Sequence, residues 1–320
     1  MRIVEATARH LAGWDERVEN SVNGTIFHCR AFLAYHGSRF AGSERFLMVI
    51  DGDTPCAQIA LSIETTPEGR VARSPYGASY GGLVLFRQPN FSEAQGIVRA
   101  FNDYLRAENV TRFTMTPPIA CCLPQPLDVL YFALLTNGYR SINRDLSSVA
   151  YLAGGLPAAQ LVSARARRHT RKAEGYGLSI CRGDLPAFWQ VVEKTFTKHG
   201  ARPTHTSDEF AYLTEALPEQ VYVDVAIDPD GTPAAGIGYI ASNSRVNGSF
   251  YLCQDPARQH EQGLTLLVMH ALEDSRSRGF GWFDFGTSSV NMMPRENIFL
   301  FKEAFSKIAM FRETFEWRAS

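Results

Sequence analysis

The chain has 320 residues, 45% hydrophobic and 20% charged, with a formal net charge of -1 at pH 7. That length favours two domains over a single core, and the near-neutral balance excludes a whole-surface electrostatic grip on nucleic acid while leaving room for a local basic patch. The six scattered cysteines form no CxxC pair and no Cys/His ligand array, so they read as reduced structural thiols, with no metal site and no DNA partner expected.

Taken in order, the first 40 or so residues read as polar helix, with Trp14, Val18 and Val22 at helical spacing. The start, Met1–His10, is too polar for a signal peptide. Phe46–Ile50 is a predicted strand, Asp51-Gly-Asp a hairpin turn and Cys56–Glu64 the returning strand. Arg73–Phe86 reads as strand, loop and strand. Phe91–Glu108 is an amphipathic helix with Ser92 as its cap. Thr111–Met115 is a strand stopped by Pro117-Pro118, Leu127–Asn137 a helix closed by Gly138, and Asn143–Leu152 a strand. In the second half, Leu185–His199 and Ser207–Leu217 are helices, the latter capped by Ser207. Val221–Ile227, Pro233–Ala241 and Val246–Cys253 are strands. Glu261–Arg278 is a long helix with an apolar stripe at Leu264, Leu267, Val268, Ala271 and Leu272. Gly279 ends it, and Phe280–Phe285 is a strand. No segment approaches the roughly 20 apolar residues of a membrane span, and the expected location is the cytoplasm.

The two halves overlay. Thr54-Pro55 and Thr232-Pro233 each follow an acidic glycine turn, and the long helix before Phe113 matches the long helix before Phe283. Hairpin strands, a helix and a further strand are the core order of the GNAT acyltransferase fold. The expectation is an α/β (α+β) protein of two tandem GNAT-like domains, residues 1–155 and 156–320, each a mixed, mostly antiparallel sheet flanked by helices.

Four stretches can carry chemistry. In Ser163–Gly177, Arg165, Arg168 and Lys172 share one helix face, either as a phosphate contact or as a solvated basic surface. Asp255–Gly263 stands where GNAT enzymes that use CoA have a Q/R-x-x-G-x-G/A pyrophosphate turn. Arg258 and Gly263 fit it, but Glu261 takes the place of the first glycine. Arg73–Gly82 offers Tyr76 and Tyr80 among glycines, as ligand contacts or as a tight structural turn. Among scattered titratable groups, Tyr251 is a candidate base or oxyanion contact, and His205 a candidate substrate contact. Ser288 and Ser289 lack the elbow of a serine hydrolase. Lys302 lies among Phe301 and Phe305, either snorkelling at a core edge or held as an anion contact. Asp284, inside an apolar run, faces solvent or finds a buried partner.

Three of these stretches resemble FemAB-like proteins. Arg168-His-Thr-Arg-Lys-Ala-Glu-Gly-Tyr-Gly is similar to the segment that opens their second domain. Phe283-Asp-Phe-Gly followed by Phe301-Lys-Glu-Ala-Phe resembles their "DfG … FKxxFg" ending, and Ser74-Pro-Tyr-Gly-Ala-Ser-Tyr-Gly-Gly resembles the "SxPfxxYGG" stretch of members from polysaccharide loci. The resemblance implies an N-acyltransferase that uses aminoacyl-tRNA or acyl-CoA as co-substrate, with no permanently bound cofactor. The acceptor would be an amine of a cell-envelope precursor, a nucleotide-linked amino sugar or a small metabolite. It further implies that Lys302, with Phe301 beside it, lies at the reaction centre. Ser306 departs from the motif glycine, and the Pro-Arg-Gly-Pro element and the long helical arm of some members are absent. The contrasting expectation is a non-catalytic GNAT-like binding protein of a polysaccharide pathway. A monomer or homodimer is expected.

Overall fold

The computed structural model describes residues 1–319. The chain forms two compact units, one of Met1–Asp145 with the residues from Phe311 onward, the other of Leu146–Met310.

The first unit contains β1 (Arg2–Glu5), short helices α1 (Ala8–Ala12), α2 (Trp14–Glu19) and α3 (Arg30–Leu33), then β2 (Glu44–Asp51), β3 (Thr54–Thr66), β4 (Gly69–Ser74), β5 (Val84–Leu85), α4 (Phe91–Ala107), β6 (Val110–Met115) and α5 (Asp128–Thr136). β1 to β4 form an antiparallel series; β4 then pairs with β6 in parallel. A parallel pair needs a crossover, and α4 supplies it. The helix buries Ile97, Val98, Phe101 and Leu105 on one face. Its cap is Asn90, reciprocated by Glu93, and not Ser92. The expected helical opening is also corrected. Residues 2–5 pair with β2 as an edge strand, and only then do Trp14 and Val18 enter the core from α2.

From β7 (Arg140–Tyr151) the chain passes into the second unit. There it forms α6 (Ala158–Leu161), α7 (Ala164–Gly175), β8 (Ser179–Arg182), α8 (Leu185–Lys198), α9 (Ser207–Ala216), β9 (Val221–Ile227), β10 (Pro233–Ile240), β11 (Val246–Gln254), α10 (Gly263–Ser277), β12 (Trp282–Thr287), β13 (Ser289–Val290), β14 (Met293–Pro294) and α11 (Glu296–Lys302), before β15 (Ile308–Arg318). The first unit's order recurs: β8 to β11 are antiparallel, and β11 pairs with β12 in parallel across α10. All five stripe positions of α10 are buried as the sequence spacing predicts. The cap of α9 is Thr206, paired with Glu209, and not Ser207.

Each unit's strand series is completed by a strand distant in sequence. β6 pairs with β15, which brings Phe315 and Trp317 into the first core. β12 pairs with β7, which brings Ala150 into the second. Residues 146–155 therefore group with the second unit, and those from Phe311 on with the first. A cut at 155/156 does not reproduce this exchange.

Candidate active site

The second unit's sheet opens at one place. β11 and β12 pair only from Val246 and Trp282 to Gly248 and Asp284. β11 continues to Gln254 and β12 to Thr287 without pairing further. From Ser249 on, the edge of β11 facing β12 has no partner strand among the described residues, so its backbone polar groups are available to a ligand. Phe250 is an extra residue here: Tyr251 opposes Gly238, yet Ser249 opposes Tyr239. The Ser249 hydroxyl is buried and has no hydrogen-bond partner among the described residues.

The matching strands of the first unit stay closed. β4 and β6 remain paired to Ser74 and Met115. Beyond them Thr116 donates to the Ser74 carbonyl at 3.0 Å, and Gly81 donates to the Thr116 carbonyl at 2.8 Å. A Cβ on Gly81 would lie 2.4 Å from the Pro75 nitrogen, so only glycine permits this seal.

At the end of β12 the strand bulges. Between the pairs Asp284–Val149 and Thr287–Ser147 the register slips by one residue, and Gly286 takes φ 75°. Asp284 fixes the bulge: its carboxylate accepts from the Ser147 hydroxyl at 2.6 Å and from the Gly286 N–H at 2.8 Å. The bulge presents the Gly286 and Thr287 carbonyls, and the Lys302 ammonium donates to both at 2.8 Å. Lys302 is 4% exposed; it points inward and does not snorkel. Burial pulls its pKa down to about 8, and the Asp284 charge works against that fall. The following loop is tied to β7 by Ser148–Ser288 (2.9 Å) and by the Leu146 N–H on the Ser289 hydroxyl (3.0 Å).

The other predicted residues divide into groups. Tyr251 and His205 meet: the tyrosine oxygen accepts from the His205 N–H at 3.1 Å and lies 3.0 Å from its Nδ1. Both are buried, with Phe188, Phe210 and Phe250 around them. Burial pushes the phenol up to about 12, so it stays protonated at neutral pH and is not available as a base. Phe301 packs edge-on to Phe305 in the core. Tyr76 and Tyr80 are buried in the first unit. Tyr76 donates to Glu44 at 2.6 Å, and Tyr80 packs on Phe27 beneath the Arg312 guanidinium. These two tyrosines serve as packing and not as exposed ligand faces. Arg258 is held by Glu261 at 2.8 Å and Asp228 at 2.9 Å, so two carboxylates already offset its charge. Gly263 is a packing position: a Cβ there would stand 3.2 Å from that of Ala235.

Beside this turn lies α7. It starts at Ser163, whose hydroxyl accepts from the Ala166 N–H, and buries Ala166 and Ala173 next to Leu264 and Leu266 of α10. Arg167 is structural, donating to the Ala159 and Val162 carbonyls. Arg165, Arg168 and Lys172 are exposed and form no ion pair among the described residues. His169 lies beside the Gln262 side chain at the start of α10. Burial first, then Arg165, Arg168 and Lys172, lower its pKa, and the Gln262 side chain works to raise it. The basic face and the uncapped start of α10 thus adjoin, and cationic side chains and free helix N–H groups favour the same anionic ligand.

Residues 162–291 match the family model of the GNAT acetyltransferase domain. The crystal structure of FemX is similar over 100% of this chain and 98% of its own, with 12% identity and a TM-score of 0.74. The chain shares the fold of that structure. A tandem GNAT protein from the clavulanic acid biosynthesis pathway covers 100% of this chain and 98% of its own, at 15% identity and TM-score 0.55. L-PGS from Bacillus licheniformis covers 98% and 92%, at 12% identity and TM-score 0.59. No curated protein matches the sequence. The open β11–β12 pair lies within the matched domain, and Lys302 lies beyond its end. No sequence motif marks the carbonyl pair that holds Lys302, nor Ser147 and Ser249. The one signal was the glycine after Asp284-Phe285, because a strand seldom carries glycine unless it bulges or admits a close neighbour.

Proposed function

We propose that the second unit catalyses N-acyl transfer in the opening between β11 and β12. The acceptor amine attacks the acyl carbon. A C–N bond forms, the bond from the acyl carbon to the donor oxygen or sulfur breaks, and the amine proton leaves to solvent or to the departing group. The Lys302 ammonium offsets the charge on the tetrahedral oxyanion, a role in which a fixed cation in a dry site is most effective. Arg165, Arg168 and Lys172 hold the donor's phosphates beside the start of α10. The donor is aminoacyl-tRNA or acyl-CoA, and the acceptor is an amine of a cell-envelope precursor, an amino sugar or a small metabolite. The observation that carries this reading is the buried lysine fixed on the Gly286 and Thr287 carbonyls at the end of a strand that has parted from its neighbour.

The test supplies charged tRNA and acetyl-CoA in parallel to a panel of amines. Lys302→Met, which keeps the side-chain length and removes the charge, is expected to lower kcat about 100-fold or more at a near-constant KM, on the scale of losing one oxyanion contact. A thermal melt checks that it remains folded. The wild-type rate should fall as pH rises through about 8, where Lys302 loses its proton. Turnover undiminished in Lys302→Met, or none with any donor, would overturn the proposal. Loss of activity on ribonuclease treatment would assign the donor as tRNA.

A further inference from the structure

The first unit contains a cleft of about 220 Å³ that the proposed transfer does not use. It lies between the segment after β6, helix α5 and β15. Its walls are the rings of Tyr131, Phe311 and Phe315, with Tyr131 and Phe315 stacked at 5.7 Å between centroids. Its rim carries Pro117, Pro118, Pro124 and Pro126. Proline contributes a carbonyl but no N–H, so the rim is rich in acceptors and poor in donors. The Pro126 carbonyl is taken by the Gln88 amide at 3.0 Å, and the Gln125 side chain is the one amide on the wall.

Two carboxylates complete it. Asp128, at the start of α5, is exposed and has no ion pair among the described residues. Glu313 is 3.4 Å from the Arg144 guanidinium, which lies 4.1 Å from the centre of the Phe311 ring. These three charges sum to one negative. The Tyr131 hydroxyl has no hydrogen-bond partner among the described residues. Its phenol is shifted upward by burial and then by Glu313 and Asp128, the response of a group in a negative site.

In the repeated element order α5 follows β6 as α11 follows β12. The second unit places a lysine on that helix; the first places Asp128 and Tyr131 there and takes Glu313 from β15. The sign of the site is reversed. We propose that this cleft binds the ammonium end of a primary alkylamine. The aromatic rings would cover its methylene chain and share its charge, and Asp128, Glu313 and the Tyr131 oxygen would accept its N–H groups. Amine binding in this cleft does not depend on acyl transfer in the second unit.

The test titrates the full-length chain with n-hexylammonium and with uncharged n-hexanol, followed by saturation-transfer NMR. Saturable binding of the ammonium is expected, with the alcohol at least tenfold weaker. Asp128→Asn and Tyr131→Leu should each weaken the ammonium about tenfold without moving the melting temperature of Asp128→Asn. Lys302→Met should bind it like wild type, which separates this cleft from the second unit's site. Equal binding of amine and alcohol, no saturable binding, or an unchanged affinity in Asp128→Asn would overturn the proposal.

Discussion

Lys302 and Asp284 work as a pair although both make their hydrogen bonds elsewhere. The carboxylate holds the bulge at Gly286, the bulge presents two carbonyls, and those carbonyls hold the ammonium. Asp284 also raises the lysine's pKa against the effect of burial. Asp284→Asn keeps an oxygen for Ser147 and Gly286 and removes only the charge. Its high-pH limb of activity should therefore shift to lower pH than in wild type, as a pH–rate profile would record; a superimposable profile would separate the two residues. The lysine's effect on stability has a defined sign. Its folded pKa of about 8 lies below the ordinary 10.5, so the unfolded chain binds more protons between those values. The lysine's contribution to stability then rises with pH across that window, and below it the cost of burying the charge is fully felt. From the sequence, Lys302 could equally have been a core-edge lysine, because nothing in Phe-Lys-Glu-Ala-Phe shows which way an ammonium points.

At the scale of elements, α7 and α10 divide one task. α7 turns its alanines toward α10 and leaves Arg165, Arg168 and Lys172 outside. Periodicity placed these three residues on one face, and the fold then set that face at the start of the helix that connects the opened strands. Substituting all three with alanine is expected to raise KM for a phosphate-bearing donor about tenfold or more. It should also flatten the dependence of KM on salt, because each lost phosphate contact reduces the counterion release on binding. The melting temperature should hardly move, since exposed charges without ion pairs add little stability. Steady-state kinetics between low and moderate ionic strength would check this. The arginine of the degraded CoA turn was misleading in sequence. Arg258 stands in the motif position, but Glu261, three residues on, and Asp228, from the β9–β10 turn, hold it.

For the whole molecule, the strand exchange matters most. The internal repeat was legible because a Thr-Pro match, a long amphipathic helix and an aromatic strand recur in one order, and the structure repeats β1–β4, α4 and β6 as β8–β11, α10 and β12. The strand that closes each sheet was not legible in this way. β15 lies at the end of the chain but pairs with β6 and buries Phe315 and Trp317 in the first core. Residues 1–155 expressed alone therefore lack two large core side chains and a sheet partner. Deleting one such aromatic typically costs about 3–5 kcal/mol, so this fragment should fail to fold cooperatively. Circular dichroism melts and limited proteolysis would show it. A cooperative melt matching the first transition of the full chain would remove this role from β15.

The sequence by itself determined the tandem GNAT-like architecture, most strand and helix positions, the basic face of α7 and the identity of the lysine worth testing. These follow from local patterns: a period of two or 3.6, a cap, a turn residue, a short motif. Tertiary structure decided that β11 parts from β12 while β4 stays sealed to β6, that Asp284 turns inward to a serine from β7, and that Tyr251 and His205 satisfy each other. It also decided that four prolines, three rings and two carboxylates gather around one cleft. Each depends on groups distant in the chain meeting at hydrogen-bond or van der Waals distance, and no local periodicity encodes such a meeting.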